Sequence, residues 1–291
     1  VMSCPRCGYR ISPKENTAAC PKCNIECTTY SRTQYNLKEN LEMAMEALRF
    51  APVKPLKGVK GLTSQTKIPE PFEKGLLRNK HDLFIYRDGT IRTDATNIPL
   101  THTTAEMIDM DVETLHELGY KEDIFGNPLS DPNQLFELFM QDIIIPIETA
   151  KTLIQSTKFI DELLSKFYKS EKIHNINTPK DLIGELAVGL APHTSIGVVG
   201  RIIGFTKSQG CFAHPIWHSA KRRDCDGDAD SILLLSDILL NFSYEYLPDQ
   251  IGGMMDAPLL LQPIVIPKEV QRQAHNFFSR RVLKGAGTLV E

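Results

Sequence analysis

A chain of 291 residues with 42% hydrophobic side chains has enough apolar material for buried cores and, by its length, about two domains, which excludes a wholly disordered chain. Its 33 basic and 36 acidic residues give a net charge of −3, so overall charge neither requires nor forbids a polyanionic partner. No apolar run reaches the ~20 residues that span a bilayer, and the N-terminus lacks the apolar stretch of a secretion signal; a soluble, intracellular protein is expected.

The chain opens with two copies of one knuckle, Cys4-Pro-Arg-Cys7 and Cys20-Pro-Lys-Cys23. Each aims two thiolates at one point, and two such turns complete a tetrahedral Zn²⁺ site. Seven cysteines are an odd number, which also argues against a disulfide framework. Residues 1–30 therefore read as a zinc ribbon too small for a core of its own; Cys27, four residues past Cys23, is an alternative ligand that the symmetry of the two knuckles makes a bystander. Leu37, Leu41, Met45 and Leu48 recur at helical spacing, so 31–50 reads as a connecting helix, spanning about 33 to 49.

From Arg49 to Lys80 eight basic residues face only Glu70 and Glu73. Lys57-Gly58-Val59-Lys60-Gly61 and Lys67 set ammonium groups among exposed amides, an arrangement suited to phosphate oxygens, without the Gly-Lys-Ser/Thr ending of a P-loop. Asp82 to Tyr86, a turn on Asp88-Gly89, and Thr90 to Thr93 read as a β-hairpin. Helices are expected at 104–119, at 131–140 after the Ser130-Asp131-Pro132 start, at 148–168, and from Thr178-Pro179 to about Gly189. Asp142 to Ile147 reads as a buried strand. So does Ser195 to Phe205, whose glycines at 197, 200 and 204 suit close backbone approach. Ser231 to Tyr246 is leucine-rich and reads as a buried helix, and Pro258 to Ile266 as strand.

The chemistry lies between these elements. In Lys221-Arg222-Arg223-Asp224-Cys225-Asp226-Gly227-Asp228, carboxylates fall at every second residue around a glycine, which lets a tight loop turn them toward one hard cation. An EF-hand is excluded: the glycine falls between the second and third carboxylates, and the position of the closing glutamate is apolar. From Arg201 to Arg223 five basic residues meet no acidic one, so Lys221, Arg222 and Arg223, with His214 and His218, are candidates for phosphate or nucleic-acid contact. An acidic metal loop paired with a lysine loop is the equipment of phosphoryl transfer.

Gly189 to Ser195, Gly200 to Thr206, His214 through Asp228, Asn241-Phe-Ser243, Gly252 to Pro258, Lys57 to Ile68 and Asp88 through His102 together resemble the large, catalytic subunit of the archaeal family D DNA polymerase. The resemblance implies a mixed α/β chain with a mainly β core: two facing double-psi β-barrels, at 51–147 (lysine-bearing) and 191–291 (aspartate-bearing), joined by a helical connector at 148–190. It implies that Asp226 and Asp228 hold two catalytic Mg²⁺ ions and that Lys57 and Lys60 serve the first barrel. The family pattern carries asparagine where this chain has Asp224. Implied partners are primer-template DNA and dNTPs, with a small exonuclease subunit and a sliding clamp for the longer family protein, and no membrane. The rival expectations are an RNA-synthesising two-barrel enzyme and a non-catalytic nucleic-acid-binding module.

Overall fold

The structure is a computed structural model that describes residues 2–7, 9–11, 19–29, 35–52, 55, 56, 58, 70–223, 226–248 and 250–270. The chain divides into two units, Val1–Ala44 and Met45–Glu291.

In the first unit, β1 (Met2–Ser3) and β2 (Arg10–Ile11) pair antiparallel. Each cysteine knuckle closes on itself through the backbone: Cys4 N–H donates to Tyr9 O, and Cys20 N–H to Ile25 O, both at 2.8 Å. The buried cluster is little more than Cys4, Ile11, Cys20 and Cys27, too few apolar groups to offset the entropy of ordering the chain. The next helix, α1 (Leu37–Leu48), begins on the first residue of its stripe, behind Asn36, whose side-chain Oδ1 caps it by accepting from Glu39 N–H at 3.3 Å.

The second unit is built on a closed barrel of six strands: β3 (Thr93–Pro99), β6 (Asp142–Pro146), β7 (Leu186–Leu190), β8 (Ile196–Thr206), β9 (Gly210–Ala213) and β10 (Ala229–Leu234). Around the ring the order is β8, β6, β9, β3, β10, β7, with β7 returning to β8. Two pairs, β6 with β8 and β3 with β9, are parallel, and the other four are antiparallel. A short β11 (Leu260–Gln262) lies parallel to β8 outside the ring. The three β8 glycines act as expected: a Cβ at Gly197, Gly200 or Gly204 would come within 2.6, 2.9 and 2.8 Å of Val188, Ile143 and Ile108.

Between β3 and β6 the chain makes an excursion of β4 (His102–Thr103), a single 3₁₀ turn, α3 (Val112–Leu118) and β5 (Phe136–Glu137), β4 and β5 pairing antiparallel. Its core, with Leu115, Tyr120 and Phe136 among its members, packs on Ile144 and Ile203 of the barrel. Tyr120 Oη donates to Asp142 at 2.5 Å, and Arg201 grips the same carboxylate through Nε and Nη2 at 2.9 and 2.7 Å. On the other side α2 (Phe72–Lys80), α4 (Ile147–Glu162) and α6 (Leu235–Asn241) form the helical cover. A π-helical turn, Leu163–Tyr168, prolongs α4. Asp161 holds the returning chain by accepting three backbone N–H bonds, from Ile173, His174 and Asn175.

Several expectations change. Residues 131–140 are not helical: Asp131 and Pro132 open a turn whose N–H groups are taken by the Asp131 and Gln134 side chains, and β5 follows. The helix from Thr178 is one 3₁₀ turn, Pro179–Leu182, and the chain then enters β7. Ser231 to Leu234 is the buried strand β10, not helix. The hairpin near Asp88 keeps its turn, Gly89 N–H bonding Tyr86 O at 3.0 Å, but not its ladder. Most consequential, β3 and β6, assigned to a first barrel at 51–147, pair directly with β8, β9 and β10 from the stretch assigned to a second. One barrel therefore draws on both stretches, and a second is not seen among the described residues.

The Asp88 turn is held by α6, some 150 residues on. Ile91 N–H donates to Asp237 at 2.7 Å, Ser243 N–H donates to Asp88 O at 2.9 Å, and Gly89, at φ +91°, has no room for a Cβ against Asn241 O. Asp237 is fully buried, and burial pushes its carboxyl up to about 6, against the hydrogen bonds from Ile91 and Asn241. A raised folded-state value stabilises below the unfolded value, near 4, and is lost as pH rises through 6. Relative to Asp237→Asn, the wild-type chain is expected to gain about 2 kcal/mol of stability as pH falls from 7 to 4. Urea unfolding at both pH values measures this, and parallel curves for the two proteins would remove Asp237 as the cause.

Candidate functional site

The four expected zinc ligands converge. The Sγ atoms of Cys4, Cys7, Cys20 and Cys23 all lie within 4.8 Å of one another, with Cys7 and Cys20 3.6 Å apart. Zn–S bonds of ~2.3 Å in a tetrahedron put sulfurs about 3.8 Å apart, so the donor set suits zinc after a small closing of its wider spacings. Backbone N–H groups of Cys7 and Arg6 draw the Cys4 thiol down to about 7, toward the thiolate a metal requires. Cys27 lies outside the group, its thiol turned to Ile25 O. Cys20→Ser is accordingly expected to abolish stoichiometric zinc and Cys27→Ser to retain it. Zinc release into a chromophoric chelator counts the ions, and one equivalent retained by Cys20→Ser would refute the assignment.

The aspartate loop sits at the entrance to β10. Gly227 occupies the left-handed region at φ +112° with open space around it, so the chain reverses there without a side chain in the way. Asp226 is exposed and Asp228 half-buried. The backbone of Asp228 is already part of the sheet, because its carbonyl accepts from Asn97 N–H at 2.8 Å, one step beyond the β3–β10 pair Thr96 and Ala229. A strand end thus carries one carboxylate, and the turn at Gly227 joins it to the other. Among the described residues, ligand atoms of three or more His, Cys, Asp or Glu converge at the cysteine cluster alone. Two carboxylates with open coordination suit Mg²⁺, which keeps several waters and takes substrate oxygens. Asp224 lies outside the described residues, as do Lys57, Lys60 and Lys67.

The basic residues upstream divide into two kinds. Lys221, expected to reach phosphate, is instead 1% exposed: its ammonium pairs with buried Asp230, donates to Asn97 Oδ1 at 2.8 Å and lies 4.1 Å over the Trp217 ring. His218 is equally enclosed. Its Nε2 reaches Ile98 O at 3.1 Å, and burial, reinforced by Lys221, holds the imidazole well below its ordinary value and hence neutral. His214 caps α5 (Pro215–Ala220), its Nδ1 accepting from Ile216 N–H at 3.2 Å. Phosphate contact by Lys221 and His218 is therefore corrected: burying α5 against the barrel, with Trp217 Nε1 bonded to Val199 O at 3.1 Å, takes them out of solvent. Arg222 is exposed, at φ +59°, and free to meet an anion. Arg223 is half-buried, with Nε 3.2 Å from Asp228 Oδ2. Of Asn97 and Asp230, which both hold Lys221, Asn97 alone escapes a local reading. Asp230 continues the alternation of carboxylates, but nothing near Asn97 signals its part.

Residues 49–282 match the family model described as DNA polymerase II large subunit DP2, catalytic domain. The chain is 50% identical over 274 residues to the DNA polymerase II large subunit of Cenarchaeum symbiosum, covering 94% of this chain and 24% of that protein. It is 48% identical over 279 residues to that of Pyrococcus furiosus, covering 95% and 22%, and 49% identical over 274 residues to that of Archaeoglobus fulgidus, covering 94% and 24%. It thus spans about a quarter of the length of the curated relatives it matches. With its closed six-stranded barrel and an aspartate loop at the barrel rim both inside the matched sequence, the chain belongs to the family of the archaeal DNA polymerase II large subunit, in the segment that includes its catalytic domain.

Proposed function

We propose that this chain is the nucleotidyl-transfer core of a DNA-directed DNA polymerase, adding a deoxynucleotide to a primer 3′ end with release of pyrophosphate. The observation that carries the reading is the Asp226-Gly227-Asp228 turn at the end of a barrel strand, in a chain of this family. Asp226 and Asp228 would hold Mg²⁺. Two such ions, when bound, lower the barrier to in-line attack by the 3′ hydroxyl and neutralise the departing pyrophosphate.

The remaining work falls to this chain's own groups. The Asn97 anchor keeps Asp228 in place, and Gly227 keeps Asp226 free to approach the same point. Arg222 faces solvent, where it can receive a phosphate. Lys57, Lys60 and Lys67 would neutralise the triphosphate from the opposite wall, on a second, lysine-bearing barrel. The observed barrel suits the double-psi type through its two parallel pairs bridged by the antiparallel pair β6–β9. Zinc in the cysteine cluster is structural. Primer-template DNA and dNTPs are the substrates, and the small exonuclease subunit and the clamp partner the longer protein; such a complex works inside the cell on DNA.

The test is incorporation on a primed template with Mg²⁺, comparing dNTPs with rNTPs. Extension with dNTPs at least about tenfold over rNTPs is expected, a selectivity of about 1.4 kcal/mol. An rNTP preference would make the chain an RNA-synthesising relative, and DNA binding with no metal-dependent extension would leave it a binding module.

A further inference from the structure

Arg223 stands between two carboxylates and completes a hydrogen bond to neither. Its Nε is 3.2 Å from Asp228 Oδ2 and 3.6 Å from Asp230 Oδ1. Yet both Arg223 Nε and Asp230 Oδ1 are buried atoms without a hydrogen-bond partner. Such atoms are rare in folded proteins, because each forfeits its solvation for nothing. Asp230 is 2% exposed and its other oxygen, Oδ2, is fixed by Lys221. Lys221 is in turn clamped by Asn97 and the Trp217 ring. Asp230 cannot move toward Arg223, but the guanidinium can move toward Asp230.

The charges sharpen the point. Lys221, Asp230, Arg223 and Asp228 form a row of alternating sign that sums to zero with no other ion present. A dication on Asp226 and Asp228 would set +2 beside the Arg223 guanidinium, and like charges at that range repel. A second, buried acceptor, Asp230 Oδ1, stands open 3.6 Å from the same Nε.

Resting on the reading of Asp226 and Asp228 as a divalent-cation site, we propose that Arg223 is a positioning residue for it: an internal counter-ion that holds Asp228 while no dication is bound and closes on Oδ1 of Asp230 when one is. Arg223 thereby keeps Asp228 extended toward the loop and competes with the ion for its carboxylate.

Mn²⁺ binding to the zinc-loaded chain without DNA, followed by the electron paramagnetic resonance of the free ion, tests this independently of activity. Arg223→Gln is expected to tighten Mn²⁺ binding about tenfold, as loss of one competing charge should, while Arg223→Lys stays near wild type. In the unmodified protein, the Arg223 Nε–H resonance is expected to shift on titration with Mg²⁺, saturating with occupancy, and to stay still in Asp226→Ala. Unchanged or weaker Mn²⁺ binding in Arg223→Gln, or a stationary Nε–H signal while Mg²⁺ binds, would overturn the proposal and leave the metal site standing. If wild-type binding does not depend on Asp226 and Asp228, the metal-site reading fails and this one with it.

Discussion

Replacing Asp226 and Asp228 together by alanine is expected to lower Mg²⁺-dependent primer extension at least about 10³-fold, a barrier increase of about 4 kcal/mol or more. Fold stability should barely change. Asp226 is exposed, Gly227 has open space around it, and Asp228 is tied to the sheet through its backbone carbonyl rather than its side chain. Surface changes of this kind stay within about 0.5 kcal/mol, and the one ion pair lost, to Arg223 at 3.2 Å, is partly solvated. The two readouts separate the cases. A large loss of extension with an unmoved melting temperature supports ligands of the catalytic cation. Extension within tenfold of wild type would sink the assignment, and a fall in melting temperature of several degrees would recast the loop as structural.

The largest effect on stability is expected at Glu70. Its carboxylate receives two hydrogen bonds from Arg78, at 2.7 and 2.6 Å, and the two residues are 2% and 0% exposed. Arg78 also lies with its Cζ 5.9 Å from the centre of the Phe159 ring, beneath the turn at Gly89. Glu70→Ala leaves this guanidinium buried without its counter-ion, and removing one partner of such a pair costs about 3–5 kcal/mol. Glu70→Met with Arg78→Met removes both charges together and should recover most of that loss, because the pair's own attraction is largely offset by its desolvation. Urea unfolding of the three proteins decides it. A single-site loss below about 1 kcal/mol would mean that water already reaches Arg78.

What could be read from the sequence was local. Four cysteines in paired knuckles, the buried strand at Asp142 to Pro146 and the amphipathic helix expected from 148 each carry their signal within one turn, strand or helix, and each is found. The failures share a cause in partners distant along the chain. Ser231 to Leu234 is a short apolar run whose identity as strand depends on β3 and β7 flanking it, and periodicity cannot tell such a run from a buried helix. Leu186 to Leu190 is extended because β8 and β10 take its hydrogen bonds. Lys221 looks like a phosphate ligand beside Arg222 and Arg223 until Asn97, 124 residues away, and Asp230 enclose it. Arg201 is likewise bound to Asp142, so the uncompensated charge of the 201–223 segment is smaller than its composition suggests.

The ring of strands that closes through β10 also fixes an order of events in biosynthesis. The seam joins Thr93 to Ile232 and Ala187 to Leu234, so nothing holds the Asp228 carbonyl until almost every residue up to Leu234 is available to pair. Pairings that far apart are slow to nucleate, since loop-closure entropy is lost before any contact compensates. The cysteine knuckles, by contrast, join residues within 26 positions of one another and can mature on zinc while the rest is still being translated. Chains released from the ribosome between Asp228 and Leu234 would carry the cysteine knuckles and the aspartates themselves, yet no complete strand to aim them.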